Sequence, residues 1–261
     1  MNKIHNLFIK KSEKILCIYF TAGFPNLNST VKIIKILQDL SVDMIEIGIP
    51  YSDPLADGMI IQNSNKKSLN NGMNLSLLFS QIKECKNIIK TPIVLMGYYN
   101  QIYKFGEDKF LKKCQKSGIS GLIIPDLPVD LFINKYQSLF KKYSLSMIFL
   151  VTPQTNSHRV AFLSEITDGF LYLVSSNSTT GKVVDFFGKK QVSFFERIKQ
   201  SSTNIPKLVG FGIKNKKSFD FSCKYANGGI IGSSFIQSLE LVSNDDKLEE
   251  NIKKYIKYIR S

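Results

Sequence analysis

The stretch "ILCIYFTAGFPN", residues 15–26, sets an unbroken apolar run against a loop that opens on Thr21. A continuous run of this kind is how a strand buried on both faces reads, the usual state of a strand in a parallel sheet. The loop after the run separates two parallel architectures. An open doubly wound sheet often carries G-x-G-x-x-G in the turn after its first strand, whereas "TAGFPN" has a single glycine. Outward from this segment, short apolar runs recur at 44–49, 93–96, 119–124, 145–150, 169–174, 207–211 and 228–231. Amphipathic segments separate them. Ile33, Ile34, Leu37 and Leu40 share a face over 29–40, with Asn28 or Ser29 as cap, and Phe132, Tyr136, Leu139, Phe140 and Tyr143 do so over 131–143. Eight strand–helix units in 261 residues predict an α/β fold: one domain over 1–261, an eight-stranded parallel (β/α)8 TIM barrel with additional short helices.

An apolar share of 43% suits a soluble core. The longest apolar runs are too short to span a bilayer, and "MNKIHNLFIK" at 1–10 lacks the apolar segment of a signal peptide, so a cytoplasmic protein with no membrane partner is expected. Cys17, Cys85, Cys114 and Cys223 lie far apart without C-x-x-C spacing, and His5 and His158 are the only imidazoles, so no metal site is expected. The net charge of +14 invites a nucleic-acid reading. The lysines, however, are scattered as singles and pairs over many segments and describe a generally basic surface, so no nucleic-acid partner is expected.

Side chains alternate along a strand, so in "MIEIGIPYSDPLADG", 44–58, Ile45, Ile47 and Ile49 point one way and Met44, Glu46 and Gly48 the other. The isoleucines suit the covering helices, which turns Glu46 into the barrel, where burial raises a carboxyl pKa toward neutrality and makes proton exchange useful. A glutamate paired with a buried lysine, or a strand read out of phase, is the competing reading. Asp53, before Pro54, reads as a turn residue. Asp57, before Gly58, reads equally as a turn residue or as an acceptor for a ligand.

The last two runs carry "VGFGI" at 209–213 and "NGGIIGSSF" at 227–235. Glycines let backbone N–H groups approach an anion, a helix starting near Gly232 or Ser233 would aim its positive end at the same point, and the loops after strands seven and eight are where barrels of this class bind phosphate. Gly181, in the polar segment "SSNSTTGKVVDFFGKK" at 175–190, could add a donor, and that segment reads as a lid with Gly181 and Gly188 as flexible points. In "GFLYLVS", 169–175, Phe170 and Tyr172 alternate against the leucines and either line a flat cavity, with the Tyr172 hydroxyl able to orient Glu46, or fill ordinary core. Tyr98, Asn100 and Asp126 lie at strand ends without a sharp role.

Taken in order, "TAGFP" at 21–25, "EIGIPYSDPLADGMIIQ" at 46–62, "MGYYN" at 96–100, "PDLP" at 125–128, "GFGI" at 210–213 and "GGIIGSS" at 228–234 resemble the tryptophan synthase alpha chains over essentially the whole barrel. The resemblance implies retro-aldol cleavage of indole-3-glycerol phosphate into indole and D-glyceraldehyde 3-phosphate. Glu46 would be the general acid and base, and Asp57 would stabilise positive charge at the indole N–H. It implies phosphate donors at Gly181, Gly212, Gly232 and Ser233, and an indole cavity that includes Tyr19, Met96, Ile123, Phe170, Tyr172, Phe211 and Ile230. It implies no cofactor in this chain and a beta-chain partner holding pyridoxal phosphate, joined in an alpha2-beta2 heterotetramer, with the loop at 53–60 and the segment around Pro128 facing that partner. One departure stands out: Ser176 and Ser178 occupy lid positions where many members carry an arginine and a glycine. Another lyase or isomerase barrel acting on a phosphorylated substrate, and a barrel kept as an allosteric partner, are the competing functions.

Overall fold

The computed structural model describes residues 2–54, 57–174, 188–201, 203–241 and 247–261. Eight parallel strands close into a barrel in chain order: β1 (Ile15–Thr21), β2 (Met44–Gly48), β3 (Ile93–Met96), β4 (Gly121–Ile123), β5 (Ser146–Val151), β6 (Leu171–Val174), β7 (Lys207–Gly210) and β8 (Gly228–Ile231). The closing seam pairs Ile15 with Gly228 and Cys17 with Ile230. At that seam the two backbones meet so closely that a Cβ on Gly228 would lie 2.0 Å from the Ile15 carbonyl oxygen.

All seven positions of β1 are buried, as are all five of β2. Strands covered on one side by helices and on the other by the barrel interior have no face left for water. The helix over Lys3–Lys10 lies across the N-terminal end of the barrel: the Asn2 side-chain amide donates to the Ser120 and Ser144 carbonyls at 2.6 and 3.0 Å, just ahead of β4 and β5, and Ile4 is fully buried against the start of β4. That leaves the opposite, C-terminal rim for chemistry, as in barrels generally.

Two elements differ from the sequence expectation. The fourth strand is confined to Gly121–Ile123 because the preceding helix, Glu107–Ser117, ends on Gly118 at φ +79° and then draws the Ile119 N–H onto the Cys114 carbonyl, which uses the residues that would have extended the strand. The helix expected over 131–143 starts at Val129, after Pro128, and passes through a wide π turn at Phe132–Tyr136 before Gln137–Lys142. The wider turn keeps Phe132, Tyr136 and Phe140, spaced four apart, on the buried side. The helix Ser29–Asp39 matches expectation and buries Ile33, Ile34 and Leu37.

Candidate active site

Glu46 sits on β2 with Tyr19 of β1 and Val94 of β3 as its register partners. Its side chain is 1% exposed, and among the described residues neither carboxyl oxygen has a hydrogen-bond partner. A buried carboxylate without a donor is costly, and the remedy open to it is to hold a proton. Burial, and after it the charge of Asp57, pushes the Glu46 carboxyl up to about 8. Among the described residues no lysine meets these oxygens, so the structural ion pair that competed with a catalytic reading is not formed.

Asp57 is half-buried on the loop between β2 and the helix Met59–Asn70. Its backbone N–H donates to Pro54 O at 3.1 Å, its carbonyl accepts from the Gln62 amide at 2.8 Å, and its carboxylate accepts from the Asn65 amide at 3.4 Å. Burial pushes its carboxyl up to about 6, while hydrogen bonds from Asn65 and Tyr98 act in the opposite direction. The two carboxyls are thus set apart, Glu46 favouring its proton near neutrality and Asp57 its ionised form, a separation by which one site can hold both an acid and an anion. Asp53 instead accepts from the Ser52 hydroxyl at 2.6 Å on the exposed loop, a local turn contact.

Around the carboxyls the described residues form an aromatic and aliphatic wall. Tyr19, which is 8% exposed, leans across the rim so that its hydroxyl occupies the space a Gly48 side chain would fill, while the other end of its ring lies beside Gly232. Met96 pairs with Gly48 and Ile123 in register, and Ile230 pairs with Cys17. Tyr172 fills the space above Gly210, where an added Cβ would lie 2.2 Å from its ring, and meets Phe211 edge-on with centroids 6.0 Å apart. No hydrogen bond joins the Tyr172 hydroxyl to Glu46, whose oxygens are unpartnered. Phe170 is placed elsewhere: it precedes β6 and packs against Phe8 of the N-terminal helix, centroids 6.0 Å apart, at the end opposite the carboxyls.

At the rim beyond β7, Phe211 and Gly212 both adopt positive φ, +64° and +82°, so the backbone folds back immediately after the strand. The helix Ser233–Glu240 begins directly after Gly232. Its first-turn amides have no acceptor within the helix, and Gly212, Gly232 and Ser233 are all partly or fully exposed, so this rim can receive an anion. Gly181, Ser176, Ser178 and Thr180 lie outside the described residues.

Asn65, Gln62 and Ser64 hold this arrangement together and were not singled out from the sequence. Their helix carries a buried stripe of Ile61, Ser64, Asn65 and Ser68. A mostly polar stripe at core spacing on a helix that follows Asp57 is the signal that could have revealed them.

A family model described as tryptophan synthase alpha chain matches residues 6–260. The chain belongs to the tryptophan synthase alpha chain family. It is 56% identical to the tryptophan synthase alpha chain of Karelsulcia muelleri (strain GWSS) over 259 residues, which cover 99% of both chains. Among solved structures similar to this alpha chain, the tryptophan synthase subunit alpha of Legionella pneumophila superposes with a TM-score of 0.89 at 27% identity, over 100% of this chain and 97% of that one. A chain of the tryptophan synthase complex of Pyrococcus furiosus does so with a TM-score of 0.84 at 32% identity, over 96% and 99%. Among the described residues no helix of this alpha chain is long and apolar enough to cross a membrane, and no three His, Cys, Asp or Glu side chains cluster as metal ligands would.

Proposed function

We propose that Glu46 moves the protons and Asp57 supplies the anion in cleaving indole-3-glycerol phosphate, the lyase reaction this alpha chain catalyses in tryptophan biosynthesis. The observation that carries the assignment is the buried, unpartnered Glu46 carboxyl, raised to about 8 by burial and then by the charge of Asp57, whose own carboxyl lies at about 6. The scissile carbon–carbon bond is unactivated until the indole ring becomes an electron sink. Neutral Glu46 gives its proton to indole C3, and positive charge gathers at the ring nitrogen, where Asp57 stabilises it. Glu46, now a carboxylate in an apolar site, takes the proton of the adjacent glycerol hydroxyl. The oxygen forms the aldehyde carbonyl, the bond to C3 breaks, and its electrons restore the aromatic ring. Glu46 ends protonated, so the cycle closes on indole and D-glyceraldehyde 3-phosphate.

In this reading the indole ring lies among Tyr19, Met96, Ile123, Tyr172, Phe211 and Ile230, and the phosphate sits on the amides of Gly212, Gly232 and Ser233 with Gly181 as a further donor. Two glycines and a helix N-terminus at the rim support that placement. A cytoplasmic setting is part of the same proposal.

The pH dependence tests the division of roles. Turnover at saturating substrate should peak between about 6 and about 8, falling on the acid side as Asp57 takes a proton and on the alkaline side as Glu46 loses one. The two limbs belong to the coupled pair, so each reports the site rather than a lone residue. A profile flat across that window contradicts the assignment.

Membership of the family implies a beta-chain partner, and we place this chain in an alpha2-beta2 heterotetramer with the loop at 53–60 and the segment around Pro128 toward that partner. Adding a matching beta chain should accelerate indole release at saturating substrate, because closure of the rim loops replaces water around the forming charges with fixed donors and acceptors. Equal rates with and without demonstrated complex formation would reject partner activation and leave the lyase assignment standing.

A further inference from the structure

Asn65 is a buried amide with half of its hydrogen-bonding capacity unmet. It is 2% exposed, its Nδ2 donates to Asp57 Oδ2 at 3.4 Å, and among the described residues its Oδ1 has no partner. A buried oxygen without a donor is costly, and an apolar side chain of similar size would avoid the cost. The side-chain contact that asparagine does make here is with Asp57. The helix that carries it, Met59–Asn70, is seated along its length on the end of β1 and the loop that follows: Ser64 Oγ and Thr21 Oγ1 lie 2.6 Å apart, the Ser68 hydroxyl donates to the Ala22 carbonyl, and the Asn71 amide, just past the helix end, donates to Gly23 O and Pro25 O at 2.9 and 3.1 Å. From this anchored helix Asp57 is gripped twice. Gln62 holds its main-chain carbonyl at 2.8 Å, and Asn65 holds its carboxylate.

We propose that Asn65 is a positioning residue for the reaction: anchored through its helix to the barrel wall, its amide holds the Asp57 carboxylate as an anion where it meets the indole ring nitrogen. The inference rests on the reading of Asp57 as that anion. An amide N–H favours the ionised form of the carboxylate it meets, because that form is the better acceptor. No cation shares the task among the described residues: burial raises the Asp57 carboxyl, and what opposes burial is Asn65 and then Tyr98, beyond β3. The other titratable groups facing Asp57 are Glu46 on β2, Tyr19 on β1 and Tyr172 on β6, and none of them brings a positive charge. The unmet Oδ1 follows from the same arrangement, since an amide that turns its nitrogen to a carboxylate has to turn its oxygen away from it.

The test is the acid limb of the turnover–pH profile, measured on the full chain with indole-3-glycerol phosphate. Asn65→Leu removes the donor at nearly constant size, so Asp57 takes its proton more readily and the limb should move to higher pH by roughly half a unit, the contact being a long one. Asn65→Asp, which sets a second carboxyl against the first, should move it further in the same direction. The alkaline limb should stay where it is, because Asp57 is ionised there with or without its amide partner. Gln62→Ala loosens the main chain of Asp57 but leaves the carboxylate its donor, and should lower turnover without moving the acid limb. A merely structural role for Asn65 would lower turnover by the same factor at every pH. Asn65→Ala, which only removes atoms, reads the same limb if the leucine variant does not fold. An acid limb that stays put in the leucine or alanine variant, or that Gln62→Ala moves equally, overturns the inference and leaves the role of Asp57 intact. Absence of any acid limb in the unaltered protein overturns the role of Asp57 instead.

Discussion

Replacing Glu46 with glutamine should cut indole formation by at least about a hundredfold while leaving the barrel folded. Glutamine keeps the size and neutrality of the protonated side chain but has no proton to give to indole C3 and cannot take one from the glycerol hydroxyl. The same substitution should stabilise the fold, and the sign of that effect comes from the raised pKa. A carboxyl shifted upward on folding, from 4.5 to about 8, makes the native state bind more protons than the unfolded chain across that interval. Its contribution to stability is therefore fully present below pH 4.5, falls as pH rises, and is gone above about 8. Glutamine does not titrate, so Glu46→Gln should melt close to the unaltered protein in acid and progressively higher than it as pH rises, levelling off above about 8. Thermal unfolding at several pH values reads this directly. Near-normal turnover, or a melting difference that shrinks as pH rises, would contradict the role and the burial assigned to Glu46.

The second large effect is structural. Gly228→Ala should prevent the barrel from closing, because the added Cβ would meet Ile15 main-chain atoms at 2.0, 2.6 and 2.7 Å, and main chain in a paired strand cannot rotate away as a side chain can. Either β8 leaves the register that joins it to β1, or the seam opens. Overpacking a core commonly costs about 1–3 kcal/mol, and a clash with backbone belongs above that range, against a total stability of about 5–15 kcal/mol for a typical domain. The expected outcome is a protein recovered poorly or melting far below the unaltered chain. Gly58→Ala is the matched control: apart from its chain neighbours, no atom of the described residues lies within 4 Å of its added Cβ and its φ of −74° suits any residue, so folding should change by less than about 1 kcal/mol. Equal melting temperatures for the two variants would show that the seam is not the tight closure described.

Much of the fold and of the site is legible in the sequence because two periodicities carry it. Alternation along 44–49 turns Glu46 inward wherever the strand is placed, and recurrence of strand and helix eight times leaves few alternatives to a closed barrel. The glycines after β7 and β8 are legible for a similar reason, since a residue without a side chain at a strand end has few uses. Height along the barrel axis is not legible. Alternation groups Phe170 with Tyr172 on one face, but only the packing of Phe8 shows that Phe170 belongs to the closed end. The support of Asp57 is hidden because it comes from Gln62 and Asn65 on the next helix, through contacts that no motif announces.

Everything assigned to the site depends on Glu46 being a neutral acid at physiological pH. Infrared difference titration of the full chain against Glu46→Gln isolates its carboxyl band. The expected result is a protonated carboxyl at pH 7 that is lost with a midpoint near 8, and a carboxyl already ionised at pH 7, with a midpoint near its ordinary 4.5, would contradict it.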